Sequence, residues 1–148
     1  IFEAKGIPTR CLSNIFADQV AESYSFRRAE KHLQQGRVVI VAGGIGRPYF
    51  THDTAAINVA LELSCNAVLK ATKVDGVYDK DPMKHEDARK LDKVDYQEAM
   101  QSDTIKVMDK AAMGLAMEQG MPFIVYDAMT AGNLAKLLQG EDIGTVVS

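Results

Sequence analysis

Two stretches of this chain gather residue types that handle phosphate. In the first, Gly43, Gly44, Ile45, Gly46, Arg47, Pro48, Tyr49, Phe50, Thr51, His52 and Asp53 follow an apolar run and lead into a helical pattern. A helix N-terminus carries unsatisfied N–H groups and the positive end of its dipole, which together favour an anion such as a phosphate. Glycines let the backbone come close to a ligand. Arg47 can pair with a phosphate, and Thr51 can donate a hydrogen bond to one. The same residues also read as a tight strand-to-helix turn with Asp53 as a plain cap. In the second stretch, Lys70, Thr72, Lys73, Asp75, Tyr78, Asp79, Lys80 and Asp81 are clustered between positions 70 and 81. Lysine and threonine meet phosphates, and a ring such as Tyr78 can stack on a base. A solvated charged loop has the same composition.

Neither stretch is a common nucleotide fingerprint. No Gly-Lys-Ser/Thr closes the first, so it is not a Walker A loop, and the third glycine position of a dinucleotide motif holds Tyr49. A calcium EF-hand fits poorly, because counting from Asp75 the glycine falls second instead of sixth. His32, His52 and His85 lack metal-ligand spacing, and His32 and His85 read as surface residues. No Gly-x-Ser-x-Gly or Cys-His signature marks a covalent nucleophile. Phosphoryl transfer needs none: it rests on positioning and on neutralising charge with Lys, Arg, backbone N–H and Mg²⁺.

The flanking residues supply an alternating scaffold. Residues 7–15 are mixed and partly extended. Ser25 caps a helix expected over 26–35, with Phe26, Ala29 and Leu33 as its apolar positions and Gly36 closing it. The apolar run Val38–Ala42 suits a parallel strand buried on both faces. Asp53 is expected to cap a helix over 54–63, with Ala56, Val59, Ala60 and Leu63 as its stripe. A strand over 67–71 precedes a surface excursion over 74–92, rich in Asp, Lys, Gly and Pro. Tyr96–Gln101 is helix-like, and Asp109 caps a helix reaching 119 and closed by Gly120. Strands over 123–126 and Thr145–Val147 flank a short helix over 132–138. This order predicts an α/β fold with helices packed on a mostly parallel sheet. Ligands of such sheets bind beyond the carboxyl ends of the strands, where both stretches fall.

The chain has 148 residues, 47% hydrophobic and 25% charged, which suits one globular domain able to bury a core. A net charge of −3 with no long basic run points away from a nucleic-acid partner. No apolar stretch reaches the roughly 18 residues of a membrane span. Glu3, Lys5 and Arg10 interrupt the opening residues, unlike a signal peptide. Cys11 and Cys65 form no C-x-x-C pair and are expected as reduced thiols of a cytoplasmic protein. The chain opens on Ile1 and reads as a fragment or a processed product.

At the two stretches the chain resembles a known family. Pro48, Tyr49, Phe50, Thr51, His52, Asp53, Thr54, Ala55 and Ala56 resemble the Pro-Phe/Tyr-Phe-Ser/Thr-Thr-Asp-Ser/Thr-Ala-Ala segment of bacterial uridylate kinases. Residues 68–78, followed by Asp81 and Pro82, resemble their Val-Leu-Lys-Ala-Thr-Lys-Val-Asp-Gly-Val-Tyr/Phe and Asp-Pro segment. Ile105, Lys106, Val107, Met108 and Asp109 are similar to their Leu-Lys-Val-Met-Asp. Gly140, Glu141, Gly144 and Thr145 match their C-terminal Gly-Glu-x-x-Gly-Thr. Order and spacing agree over nearly the whole chain.

The resemblance implies a three-layer amino-acid-kinase fold with a mostly parallel sheet, its N-terminal part missing here, and unrelated to the P-loop kinases. It implies transfer of the γ-phosphoryl group of ATP to UMP, with Mg²⁺ accompanying ATP. By resemblance, Ile45, Gly46, Arg47, Pro48, Tyr49, Phe50, Thr51 and His52 would hold UMP. Lys70, Thr72, Asp75, Tyr78, Asp81 and Asp109 would meet ATP, with Tyr78 near the adenine and Lys106 as a further candidate. Asp53 matches the acidic residue that organises the reaction centre. An ordinary aspartate is too acidic for a base near neutral pH, so an electrostatic role is expected. The acceptor side departs from the family: Ile45-Gly46-Arg47 replaces Thr-Gly-Asn, and His52 replaces a threonine. The family's Lys-Leu-Ser-Gly-Glu and Gly-Gly-Gly-Asn segments are absent, so residues 1–148 alone are expected to bind nucleotide weakly without turnover. Family members usually form hexamers, many activated by GTP and inhibited by UTP. An aspartate or acetylglutamate kinase of the same fold and a non-catalytic nucleotide-binding module are the alternatives.

Overall fold

Parallel pairing organises the first sheet. Strands β1 (Thr9–Ser13), β2 (Glu22–Ser23) and β3 (Val38–Ala42) lie in the order β2-β1-β3, and both pairings are parallel. These strands belong to the first of two compact units, Ile1–Ser64 and Cys65–Ser148. The structure, a computed structural model, describes residues 1–102, 105 and 107–148.

Helix α1 (Phe26–Gln34) packs on β3. It starts because Ser25 is extended and its Oγ accepts the Arg28 N–H at 3.4 Å. Its buried face is Ala29 and His32, whereas Phe26 and Leu33 are 46% and 42% exposed. The expected surface position of His32 is therefore corrected. Three residues beyond Ala29, it shares the inward face of the helix. Its Nδ1 lies 2.9 Å from Arg37 and its Nε2 3.4 Å from Glu22 Oε1, out of hydrogen-bond alignment. Strand β3 is parallel as expected but is not buried on both faces. Val38 and Ile40, two apart and so on one face, remain 42% and 40% exposed.

Helix α2 (His52–Glu62) begins two residues earlier than expected, capped by Thr51 and not by Asp53. Thr51 is extended (φ −87°, ψ 172°) and its side chain accepts the Asp53 N–H. Once Thr51 takes that place, Asp53 becomes a first-turn residue. The buried face of α2 is Thr54, Ala55, Ile57 and Ala60. Of the expected stripe only Ala60 is buried, and Ala56 is exposed.

In the second unit, β4 (Val68–Thr72) is followed by β5 (Val77–Tyr78), β6 (Lys90–Leu91) and β7 (Lys93–Val94). Then come α3 (Tyr96–Gln101), α4 (Lys110–Gln119), β8 (Phe123–Asp127), α5 (Asn133–Leu138) and β9 (Thr145–Val147). The main sheet runs β4-β8-β9-β7, with β4–β8 and β7–β9 parallel and β8–β9 antiparallel. The mostly parallel sheet expected from sequence is thus present. Phe123, Val94 and Val147 fill its core, with Ala112 and Ala116 of α4 fully buried as well. Helix α3 packs on α4, and Tyr96 tilts against Phe123 with ring centroids 6.4 Å apart.

The expected surface excursion over 74–92 is corrected in part. Strands β5 and β6 pair antiparallel inside it, Val77 opposite Leu91 and Tyr78 opposite Lys90, and Gly76 and Val77 are buried. The physical reason lies far along the chain. Thr145 Oγ1 accepts the Val77 N–H at 2.8 Å and donates to Leu91 O at 2.5 Å, tying both short strands to β9.

Candidate nucleotide-binding cleft

A cleft of about 350 Å³ opens at the carboxyl end of β4, bounded by the β5 loop and the residues before α4. Lys70, Thr72, Tyr78 and Asp81, all expected from sequence, line it together. Residues to which sequence reasoning gave no site role complete its walls, among them Val77, Ile105, Val107 and Val125. The parallel register that sets Lys70 beside Val125 and Thr72 beside Asp127 brings one wall from β8. No local motif announces such a pairing. Lys80, part of the same charged stretch, also lines the cleft.

Each polar group in the wall is held. Lys70 Nζ donates to the Val107 carbonyl at 2.6 Å, which joins the end of β4 to the segment before α4. Thr72 Oγ1 lies 2.7 Å from Val74 O and 3.2 Å from Tyr126 O, and accepts the Val74 N–H. The Tyr78 hydroxyl donates to Asp75 Oδ1 at 2.9 Å, while Asp75 Oδ2 lies 4.0 Å from Lys90. That bond, with some burial and the Asp75 charge, raises the Tyr78 pKa above its ordinary value. Asp75 therefore orients the ring instead of lining the cleft. Asp81 Oδ1 accepts the Met83 N–H at 2.9 Å and its Oδ2 lies 3.4 Å from Lys84 Nζ. The backbone donor, followed by Lys84, holds its carboxyl below the ordinary range.

Asp109 stands beside this site in another way. Its Oδ1 accepts the Ala111 and Ala112 N–H groups at 2.9 and 3.0 Å, capping α4 as expected. It is not among the lining residues, so its capping contacts are the role the structure displays. Lys106 lies outside the described residues.

The other expected stretch is the loop between β3 and α2 in the first unit. Gly43, Gly44 and Gly46 all have positive φ, and a Cβ on Gly46 would meet Asn14 O at 2.8 Å. Asn14 Nδ2 in turn donates to Gly44 O at 2.5 Å, which fastens the loop to the end of β1. Ile45 is half-buried, while Arg47, Pro48, Tyr49 and Phe50 are exposed. Tyr49 adopts φ 68°, an uncommon conformation for a residue with a Cβ, and its side chain stands in solvent. His52 is an exposed first-turn residue with Nε2 3.8 Å from Asp53 Oδ1, and the Asp53 side chain is only 14% exposed. A carboxylate in the first turn complements the helix dipole. The loop thus sets backbone N–H groups, a cation and a shielded carboxylate within one short segment.

A cleft with apolar walls, one tethered aromatic ring, two lysines and a carboxylate can take a planar base joined to a phosphate chain. No group of three or more His, Cys, Asp or Glu that could hold a metal forms among the described residues. None of the helices among them is long and apolar enough to cross a membrane.

Comparison with known proteins gives concordant results. The profile of the amino acid kinase family matches residues 1–127. A uridylate kinase of Wolinella succinogenes is 49% identical over 140 residues, covering 95% of this chain and 58% of that protein. One from Rubrobacter xylanophilus is 49% identical over 146 residues, covering 98% of this chain and 57% of that protein. The chain therefore spans somewhat more than half the length of these relatives. Among solved structures, the UMP kinase from Bacillus anthracis matches with a TM-score of 0.92 at 33% identity, over 97% of this chain and 59% of that one. The UMP kinase from Ureaplasma parvum matches with the same TM-score of 0.92 at 28% identity, over 99% of this chain and 62% of that one.

Proposed function

Because this chain belongs to the amino acid kinase family, we propose that it forms the nucleotide-binding part of a uridylate kinase, which transfers the γ-phosphoryl group of ATP to UMP and yields UDP and ADP. The observation that carries the reading is the gathering of Lys70, Thr72, Tyr78 and Asp81 around one cleft. The curated relatives at 49% identity, both uridylate kinases, support it.

In this reading the adenine lies against Tyr78 and the apolar wall of Val77, Val107 and Val125. Lys70, Lys80 and Thr72 meet the phosphate chain. Charge neutralisation and positioning carry such a reaction, and neither needs a covalent intermediate. Ile45, Gly46, Arg47, Pro48, Tyr49, Phe50, Thr51 and His52 hold UMP, with Arg47 and the N-terminal N–H groups of α2 on its phosphate. Asp53 organises the reaction centre through its charge. Mg²⁺ would enter with ATP and neutralise its phosphates. It commonly keeps several waters and needs only one or two carboxylates beside the substrate phosphates. Asp81, exposed at the cleft and held in its ionised form, fits that requirement. The reading carries with it a cytoplasmic enzyme that assembles as a homo-oligomer, a hexamer in the family it resembles, activated by GTP and inhibited by UTP.

Replacement of Tyr78 by Ala in the full-length protein tests the donor side. Loss of a stacking partner for one base is worth about 1–3 kcal/mol, so the KM for ATP should rise about tenfold while that for UMP stays within about twofold. An unchanged KM for ATP would remove the adenine from this cleft.

A further inference from the structure

We infer that Thr145 is a positioning residue for the ATP cleft, an inference that rests on the donor reading above. Thr145 is fully buried in β9, at 0% exposure, far along the chain from the residues that line the cleft. Its hydroxyl makes two directional contacts with the β5–β6 pair. It accepts the Val77 N–H at 2.8 Å and donates to Leu91 O at 2.5 Å. A hydroxyl offers one donor and two acceptor positions, so one side chain satisfies both strands at once.

The surrounding backbone packs closely around this hydroxyl. Gly76 approaches so closely that a Cβ there would lie 2.6 Å from Thr145 Oγ1. Behind Thr145, Gly144 has φ +90° and would place a Cβ 2.3 Å from Val125 O. The strand pairing sets Thr145 itself opposite Val125 on β8. Val125 and the 76–78 segment are both walls of the cleft. Thr145 therefore spaces one wall against the other, and Tyr78 and Asp81 follow directly from the strand it holds. Strands β5 and β6 have two residues each and only one antiparallel ladder between them, too little to stand without an anchor.

Thr145→Val keeps the shape and removes the hydroxyl; Thr145→Ser keeps the hydroxyl and removes the methyl. In the full-length protein, Thr145→Val should raise the KM for ATP about tenfold, leave the KM for UMP and kcat within about twofold, and speed hydrogen exchange at the Val77 amide. Thr145→Ser should return both the KM for ATP and the exchange rate to wild-type values. An equal rise in both variants, or a Val variant with an unchanged KM for ATP, would overturn the inference. A wild-type protein whose cleft residues show no ATP-induced protection would instead overturn the donor reading, so the two failures are told apart.

Discussion

Asp81 faces the cleft and also holds a turn. Its carboxylate accepts the Met83 N–H and stands near Lys84, and these contacts depress its pKa below the ordinary 3.8. A depressed folded-state pKa contributes stability that is present above the unfolded value and is lost as pH falls through the folded one. The 81–83 turn should therefore persist from about pH 4 upward and open only below it. The Met83 amide shift in an NMR titration reads this directly, with a midpoint below that of a free aspartate, and Asp81→Asn should abolish it. A midpoint at the free value would contradict the assigned contacts. Residue chemistry of this kind was legible in the sequence. Residue types marked the whole 70–81 stretch, which reads equally as a solvated loop; the family resemblance gave Lys70, Thr72, Tyr78 and Asp81 their ATP role, and the structure sets all four on one cleft. Val107 and Val125 were not legible, because an aliphatic residue acquires a site role only through the strand or segment packed beside it.

Caps show where local reading of an element succeeds and where it fails. Ser25 and Asp109 were recognisable as caps and act as such. Thr51 and Asp53 are both good capping types two positions apart, and only the backbone decides between them. Thr51 is extended and its oxygen accepts the Asp53 N–H at 3.1 Å. Thr51→Ala should accordingly cost about 1 kcal/mol of stability in chemical denaturation, within the ordinary 0.5–2 range for a lost cap. A cost near zero would reassign the start of α2. The β5–β6 pair was illegible for a different reason. Its strands are too short to show a period, and the group that fixes them, Thr145, lies in the last strand. His32 was misplaced because periodicity read from apolar residues alone gives no weight to a polar residue that shares their face. Its burial follows from Ala29 one turn earlier and from the Arg37 and Glu22 contacts.

At the scale of the molecule, the α/β alternation and the parallel sheet followed from the order of apolar runs and glycine-bearing loops. The coverage of each strand did not. Val38–Ala42 has the composition of a strand buried on both faces, yet Val38 and Ile40 stay partly exposed. Composition reports what a face can bury, and neighbouring layers decide what it does bury. The cleft proposed for the donor lies within the second compact unit, and the loop expected to hold the acceptor lies within the first. Ile45, Arg47 and His52, the residues that depart from the family pattern, all belong to that acceptor loop. The central claim is thus tested most directly from the acceptor side. ADP release from ATP and Mg²⁺ should be measured on the full-length protein with UMP, CMP, aspartate and acetylglutamate in parallel. Release that depends on UMP alone is the expected result and would make Ile45, Arg47 and His52 tolerated changes around an intact acceptor site. Release with another acceptor, or with none, would contradict the uridylate kinase reading and leave only the fold and the donor cleft.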